Sequence, residues 1–207
     1  MKKKHIIFDM DGTLIDTGMA TKQAFDLLKD KHSLPDIPLE RIHAAMGLHA
    51  LDFHAFIMPD KSREELAKIA EDVDSLEDNL IKEIGKNILF PGVNEMLDAL
   101  IEKGIFIYIA SAGCNDHVNI SLTACGIIDK FKTVLSNASK KGEAVRTLIA
   151  DGEKGEWAMV GDMYKDSDAA KSNGILALGA KFGYLAEEDY ELFDEILKTP
   201  ADIFKYV

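Results

Sequence analysis

Two aspartates one residue apart, Asp9 and Asp11, are followed at once by Gly12 and Thr13. They close a short apolar run, Ile6 to Phe8, that has the length and branching of a buried strand. Side chains alternate along an extended chain, so positions 9 and 11 project the same way. Paired carboxylates repel and are costly to desolvate, and so call for a cation or a shared proton. Gly12 permits a sharp turn and brings backbone amides close to anything bound. Alone, the stretch reads equally well as an Asp-Gly turn with Asp11 capping it. Two later stretches change that balance. Ile105 to Ala110 is a second apolar run, ending in the hydroxyl of Ser111. Trp157 to Val160 is a third, ending in Gly161-Asp162 with Asp166 four residues on. Each run stops where a group able to touch phosphate or metal begins.

Such groups act together only if the strands place their ends side by side. In open parallel α/β sheets, ligands bind outside the carboxyl ends of the strands, which would gather all three endings in one crevice. The pattern from Gly92 onward supports this arrangement. Val93, Met96, Leu97, Leu100 and Ile101 mark a helix face before the second strand. Gly-Ile steps at 104–105, 126–127 and 174–175 turn helices into the next elements. Thr133–Ser136 reads as a short strand, Ala144 to Ile149 as a helix, and Ile175–Leu178 as a further strand. The tail from Glu187 reads as a helical turn, a weak strand at Glu195–Leu197 and a short helix. Repeated βα units mean a parallel sheet covered on both faces.

Between Asp16 and Ile88 the pattern is helical throughout. Helices are expected over Thr17–His32, Leu39–Met46 and Ala50–Ile57. A long helix follows, opened by a capping box at Ser62 and Glu65. The acidic stretch Glu71 to Glu83 on it reads as a solvated helix face.

Taken in order, Asp9-x-Asp11-Gly12-Thr13, Ser111 and Gly161-Asp162-x-x-x-Asp166 resemble the motifs of the haloacid dehalogenase superfamily phosphatases, over Asp9 to about Tyr184. The resemblance implies a doubly wound parallel α/β core with an inserted all-helical cap domain, the core formed by residues 1–16 and 89–207 and the cap by 17–88. It makes Asp9 the nucleophile and Asp11 the general acid and base. Mg²⁺ would be held by Asp9, Asp162 and Asp166 with a backbone carbonyl of Met10 or Asp11, the family's being that of the second aspartate. Asp168 equally suits the first turn of the following helix. Ser111 would bind a phosphate oxygen with the amides of Ala112 and Gly113, and Gly12 and Thr13 would line the same site. The family also needs a lysine to neutralise Asp9 and the phosphate. Lys140 and Lys141 stand together, and Lys141-Gly-Glu better matches the family's lysine-x-acid opening.

The chain departs from the pattern in two places. Ala112, Gly113 and Cys114 replace the Asn and Lys common after the second motif, with Asn115 as a partial substitute. The sugar-phosphate mutase branch has a Glu and a His shortly after Asp-Thr, whereas Gly18, Met19, Ala20 and Thr21 follow Asp16-Thr17 here. Lys181-Phe-Gly-Tyr184 resembles the aromatic loop of phosphoglycolate-phosphatase-like members. The expected activity is hydrolysis of a small phosphorylated metabolite through an aspartyl-phosphate. A β-phosphoglucomutase-like phosphotransferase and a non-catalytic binding protein are the alternatives. His43, His49 and His54, six and five residues apart, suit no helical zinc pair and read as surface or half-buried. His49, two residues past Gly47, is placed to read substrate.

Composition narrows the remaining classes. The 207 residues, 47% hydrophobic and 29% charged, are ordinary for a soluble core plus a small insert. A net charge of −12 disfavours nucleic acid and anionic membrane as partners. Asp9 interrupts the apolar run after Lys2-Lys3-Lys4 before a signal sequence forms, which points to a cytoplasmic protein. Cys114 and Cys125 fit no metal spacing and read as reduced thiols. A monomer or weak homo-oligomer is expected.

Overall fold

A computed structural model describes residues 3–48 and 51–207 of the chain. Six parallel strands form one sheet in the order β3-β2-β1-β4-β5-β6. They are β1 (Lys3–Phe8), β2 (Phe106–Ala110), β3 (Thr133–Leu135), β4 (Gly155–Gly161), β5 (Leu176–Ala180) and β6 (Glu195–Leu197). The three strands whose ends carry the candidate chemistry are neighbours. Phe8 pairs with Ile109 on one side and with Val160 on the other. Asp9, Ser111 and Asp162 therefore leave adjacent strands at the same edge, which follows from parallel pairing in this register.

Alternation along β1 splits the interior in two. Ile6 and Phe8 face one side, with Ile107, Ile109 and Val160, and Ile7 faces the other, with Tyr108 and Met159. The first layer packs on α5 (Val93–Glu102) and α6 (Asn115–Ala124). The second packs on α7 (Lys141–Asp151) and α8 (Tyr164–Ser172) through Val145, Leu148, Ala169 and Ala170. This is the doubly wound arrangement expected of repeated βα units.

The insert after β1 is helical: α1 (Thr17–His32), α2 (Leu39–Ala45), α3 (Leu51–Ile57) and α4 (Arg63–Ile84). The capping box forms, with Ser62 Oγ accepting from the Glu65 amide and Glu65 accepting from the Ser62 amide. The two chain crossings that join the insert to the sheet run side by side. The Asp16 amide donates to Ile88 O at 2.8 Å, and the Phe90 amide to Leu14 O at 3.1 Å. Among the described residues no helix is long and apolar enough to cross a membrane. Both cysteines are free thiols, Cys114 exposed and Cys125 buried.

Candidate active site

Asp9, Asp162 and Asp166 are buried together at the sheet's carboxyl edge, each offering an oxygen within 4.8 Å of the others. Lys141, the first residue of α7, reaches them from the neighbouring βα unit. Its Nζ lies 2.9 Å from Asp9 Oδ2 and 2.6 Å from Asp166 Oδ1, with the residue only 6% exposed. Lys140 points outward to Glu143. Burial opposes the charge on Lys141, but Asp166 and Asp9 outweigh it and hold the ammonium above its usual range.

One ammonium does not balance three carboxylates. Burial pushes Asp9 up to about 7 against the pull of Lys141, with Asp166 and Asp11 adding to the rise. Asp162 is also held well above the usual carboxylate range, first by burial and then by Asp9 and Asp166. Its Oδ1 accepts from Thr13 Oγ1 at 2.5 Å, while its Oδ2 is buried without a hydrogen-bond partner among the described residues. Asp166 is fixed by the amides of Asp162 and Met163, at 3.1 and 2.9 Å. A hard divalent cation fits this donor set: oxygen ligands, an excess of negative charge and one orphaned oxygen.

The tight turns explain two glycines. A Cβ on Gly161 would lie 2.1 Å from Asp166 Cγ. Gly12 has φ +77°, and a Cβ there would lie 2.5 Å from Asp162 Oδ2 and 2.6 Å from Tyr184 Cδ2. The aromatic loop thus closes on the first turn, and the Tyr184 amide donates to Gly12 O at 3.0 Å. The Tyr184 hydroxyl donates to Asp16 and accepts from the Gly18 amide, while its ring stacks on His43 at 3.8 Å. Burial drives the pKa of His43 down.

A cavity of about 230 Å³ opens between the sheet edge and the helical insert. Asp9, Asp11, Ser111, Ala112 and Gly113 line it from the sheet side. Ser111 Oγ accepts from the Gly113 amide at 3.0 Å, an arrangement that shapes the loop after β2. The opposite wall comes from α1, α3, α4 and the segment after α2. Lys165 Nζ holds that segment by donating to Gly47 O at 3.1 Å.

Several expectations need correction. Gly12 and Thr13 do not line the cavity; their amides donate to Ile15 O and Met10 O, and the Thr13 hydroxyl is given to Asp162. Asn115 turns away, its Oδ1 accepting from Ser136 Oγ at 3.1 Å. The Asp11 carboxylate stands outside the acidic cluster and faces His117 instead. Asp168 is exposed on α8. His49 lies outside the described residues. His54 is neither a surface nor a half-buried side chain: at 2% exposure it borders the cavity, packed edge-on to Phe53 and paired with Asp74 at 3.0 Å. The acidic stretch on α4 is not wholly a solvated face, because Asp74, Glu77 and Asp78 line the cavity.

His117 carries no signal in the motif spacing, yet it joins the two sides of the cavity. Its Nε2 lies 3.3 Å from Asp11 Oδ1 and its Nδ1 2.9 Å from Asp78 Oδ1 on α4. Burial works against its charge, but Asp11, Asp78 and Glu77 outweigh that and hold it well above the usual imidazole range. The sequence offers one hint, a histidine in the first turn of the helix that follows Ser111.

The chain is similar to several known proteins. A phosphoglycolate phosphatase of Caulobacter vibrioides is 26% identical over 194 residues, spanning 88% of this chain and 81% of its own. The pyrophosphatase PpaX of Listeria monocytogenes (strain HCC23) is 27% identical over 213 residues, spanning 98% and 95%. A solved structure described as a predicted phosphoglycolate phosphatase from Haemophilus somnus 129PT shares the fold, with TM-score 0.87 at 23% identity over 100% of this chain and 98% of that one. The family model for haloacid dehalogenase-like hydrolases matches residues 6–180, from the middle of β1 to the last residue of β5. This chain belongs to the haloacid dehalogenase-like hydrolase family.

Proposed function

We propose that the chain is a Mg²⁺-dependent phosphomonoester hydrolase that works through an aspartyl-phosphate on Asp9 and acts on a small phosphorylated metabolite. The observation that carries this reading is the paired placement of Asp9 and Asp11. Both border one cavity, but Asp9 is tied to Lys141 and Asp11 to His117. Two carboxylates in different electrostatic settings suit two different roles.

In the first step Asp9 Oδ attacks phosphorus, and the bond from phosphorus to the leaving oxygen breaks as Asp11 gives that oxygen a proton. In the second, Asp11 takes a proton from water. The water oxygen bonds to phosphorus, the acyl-phosphate P–O bond breaks, and Asp9 is restored with release of inorganic phosphate. The Ser111 hydroxyl and the Ala112 amide would hold phosphate oxygens, with the Gly113 amide steadying Ser111 Oγ. Lys141 favours the ionised form of Asp9 and holds it beside the phosphate. His117 is a positioning residue that fixes Asp11 from α6. Mg²⁺, held by Asp9, Asp162 and Asp166 with a backbone carbonyl of the β1–α1 turn, would neutralise charge on the phosphate and the cluster.

Residues 17–88 would act as the cap over a core of residues 1–16 and 89–207, moving about the paired crossings at Asp16–Gly18 and Ile88–Pro91. Release of phosphate from p-nitrophenyl phosphate with Mg²⁺ tests the reading. The wild type should turn over repeatedly and Asp9→Asn should not. An Asp9→Asn enzyme that retains turnover contradicts it.

A further inference from the structure

The helical wall of the cavity includes one side of α4, where Asp74, Glu77 and Asp78 are three and four residues apart and share a face. Two of these carboxylates have imidazole partners: Asp74 has His54 at 3.0 Å, and Asp78 has His117 at 2.9 Å. Among the described residues Glu77 has no cation at hydrogen-bond distance. Its Oε1 lies 2.7 Å from Thr21 Oγ1, which is also 3.0 Å from Thr17 O. One hydroxyl proton cannot serve both acceptors, so an ionised Glu77 is under-partnered whenever Thr21 bonds back to its own helix. Burial pushes Glu77 up to about 7 despite the pull of His117 and Thr21, and Asp11 lies near enough to add to the rise. Among the described residues that line this cavity there is no lysine or arginine. Met46, Leu48 and Phe53 supply apolar wall beside the carboxylates. The leaving-group side of the cavity therefore offers acceptors and negative potential, and among the described residues its charged imidazole, His117, is already taken by Asp11 and Asp78.

Building on the hydrolase reading above, we propose that Glu77 reads the leaving group, and that the cavity selects phosphate monoesters of small alcohols that carry an ammonium group over esters whose leaving group is an anion, such as glycolate or phosphate. An ammonium donating to Glu77 forms a charge-assisted hydrogen bond and supplies the partner this carboxylate lacks. A carboxylate or phosphate at the same place meets Asp74, Glu77 and Asp78 at close range, and like charges in such surroundings reject the wrong ligand. The phosphate end stays indifferent to this choice, because its counter-charges lie on the sheet side with Lys141 and the acidic cluster's cation.

The test is a matched series on the full-length enzyme with Mg²⁺: 2-aminoethyl phosphate, ethyl phosphate and 2-phosphoglycolate, with p-nitrophenyl phosphate as the reference. The expected order of kcat/KM is aminoethyl, then ethyl, then glycolate. The aminoethyl ester should lead the glycolate ester by roughly 100-fold or more, a gap in line with gaining a charged hydrogen bond in one and a repulsion in the other. Glu77→Gln keeps the shape and a contact to Thr21 but removes the charge. It should lower the aminoethyl-to-ethyl ratio of kcat/KM by about 10- to 100-fold. Because a ratio cancels the fraction of active enzyme, partial misfolding of the variant does not imitate this result. A wild type that prefers 2-phosphoglycolate, or an aminoethyl-to-ethyl ratio that Glu77→Gln leaves unchanged, overturns the proposal while p-nitrophenyl phosphate turnover keeps the hydrolase reading intact. No turnover of any ester, the reference included, would strike the hydrolase reading itself and the proposal with it.

Discussion

Lys141 is the residue whose removal separates the two sides of the electrostatic account most sharply. Lys141→Met keeps the length and the apolar stem but leaves Asp9 and Asp166 buried without their ammonium, which now stands 2.9 and 2.6 Å from them. Removing one partner of a buried ion pair costs about 3–5 kcal/mol, because the other charge stays buried. For a chain of this length each kcal/mol moves the thermal midpoint by about 2–4 °C. The chelated variant should therefore unfold roughly 6–20 °C below the wild type. A divalent cation bound only to the folded state offsets part of the loss, about 2.7 kcal/mol at a hundredfold excess over its Kd. Lys140→Met removes an exposed ammonium paired with Glu143, and should stay within about 0.5 kcal/mol of wild type. Circular-dichroism melts of both variants in EDTA and in MgCl₂, with initial rates on p-nitrophenyl phosphate, measure all of this. The rate should fall about 10²–10³-fold for Lys141→Met and little for Lys140→Met. The reasoning is refuted if Lys141→Met melts with the wild type in EDTA, or if Lys140→Met carries the loss.

Three other outcomes follow from the same geometry. Ca²⁺ should inhibit where Mg²⁺ activates, since it takes roughly 6–8 ligands at longer distances and disturbs in-line placement of the phosphate; full turnover after exhaustive chelation would remove the metal from the account. His117→Gln should lower kcat by about tenfold or more through loss of Asp11 placement while KM changes little; a change confined to KM would make His117 a substrate contact instead. Glu77, raised from 4.5 to about 7, contributes stability that is fully present below about pH 4.5 and is lost as pH rises through about 7. Glu77→Gln should thus match the wild type in urea melts near pH 4 and exceed it near pH 8, by on the order of 1–3 kcal/mol given that its half-buried side chain keeps part of its hydration; parallel pH profiles would count against an under-partnered carboxylate.

How far the sequence carries depends on whether a feature is local. Ile6 to Phe8 announces β1 because three branched or aromatic residues in a row suit only a buried strand or helix, and Asp9 stops it at once. The capping box at Ser62 and Glu65 is equally legible, since its two hydrogen bonds span three residues. Lys141 is legible through its lysine-x-acid setting, although nothing local says that it will meet Asp166 twenty-five residues on. His117 is illegible for the opposite reason: its partners, Asp78 and Asp11, stand 39 and 106 residues away. Asp74, Glu77 and Asp78 form the same acidic stripe whether α4 faces bulk water or a wet cavity, so periodicity alone assigns them to solvent. His54 is buried because Phe25 and Phe53 close over it from α1 and α3, and the packing of α1 on α3 is a tertiary fact. Thr13 shows a finer limit. Its motif position is plain, but the hydroxyl's commitment to Asp162 appears only once β1 and β4 are adjacent.

The central claim is the division of labour between Asp9 and Asp11, and Asp11→Asn tests it most directly. A leaving group as good as p-nitrophenolate needs little protonation, so attack by Asp9 can still proceed in the variant. Hydrolysis of the acyl-phosphate needs a base, which the amide does not supply. Rapid-quench kinetics should show a burst of nitrophenol of at most about one per enzyme, followed by a stall, and peptide mass spectrometry should find the phosphate on Asp9. Phosphate on any other residue, or an equal burst from Asp9→Asn, would contradict the account.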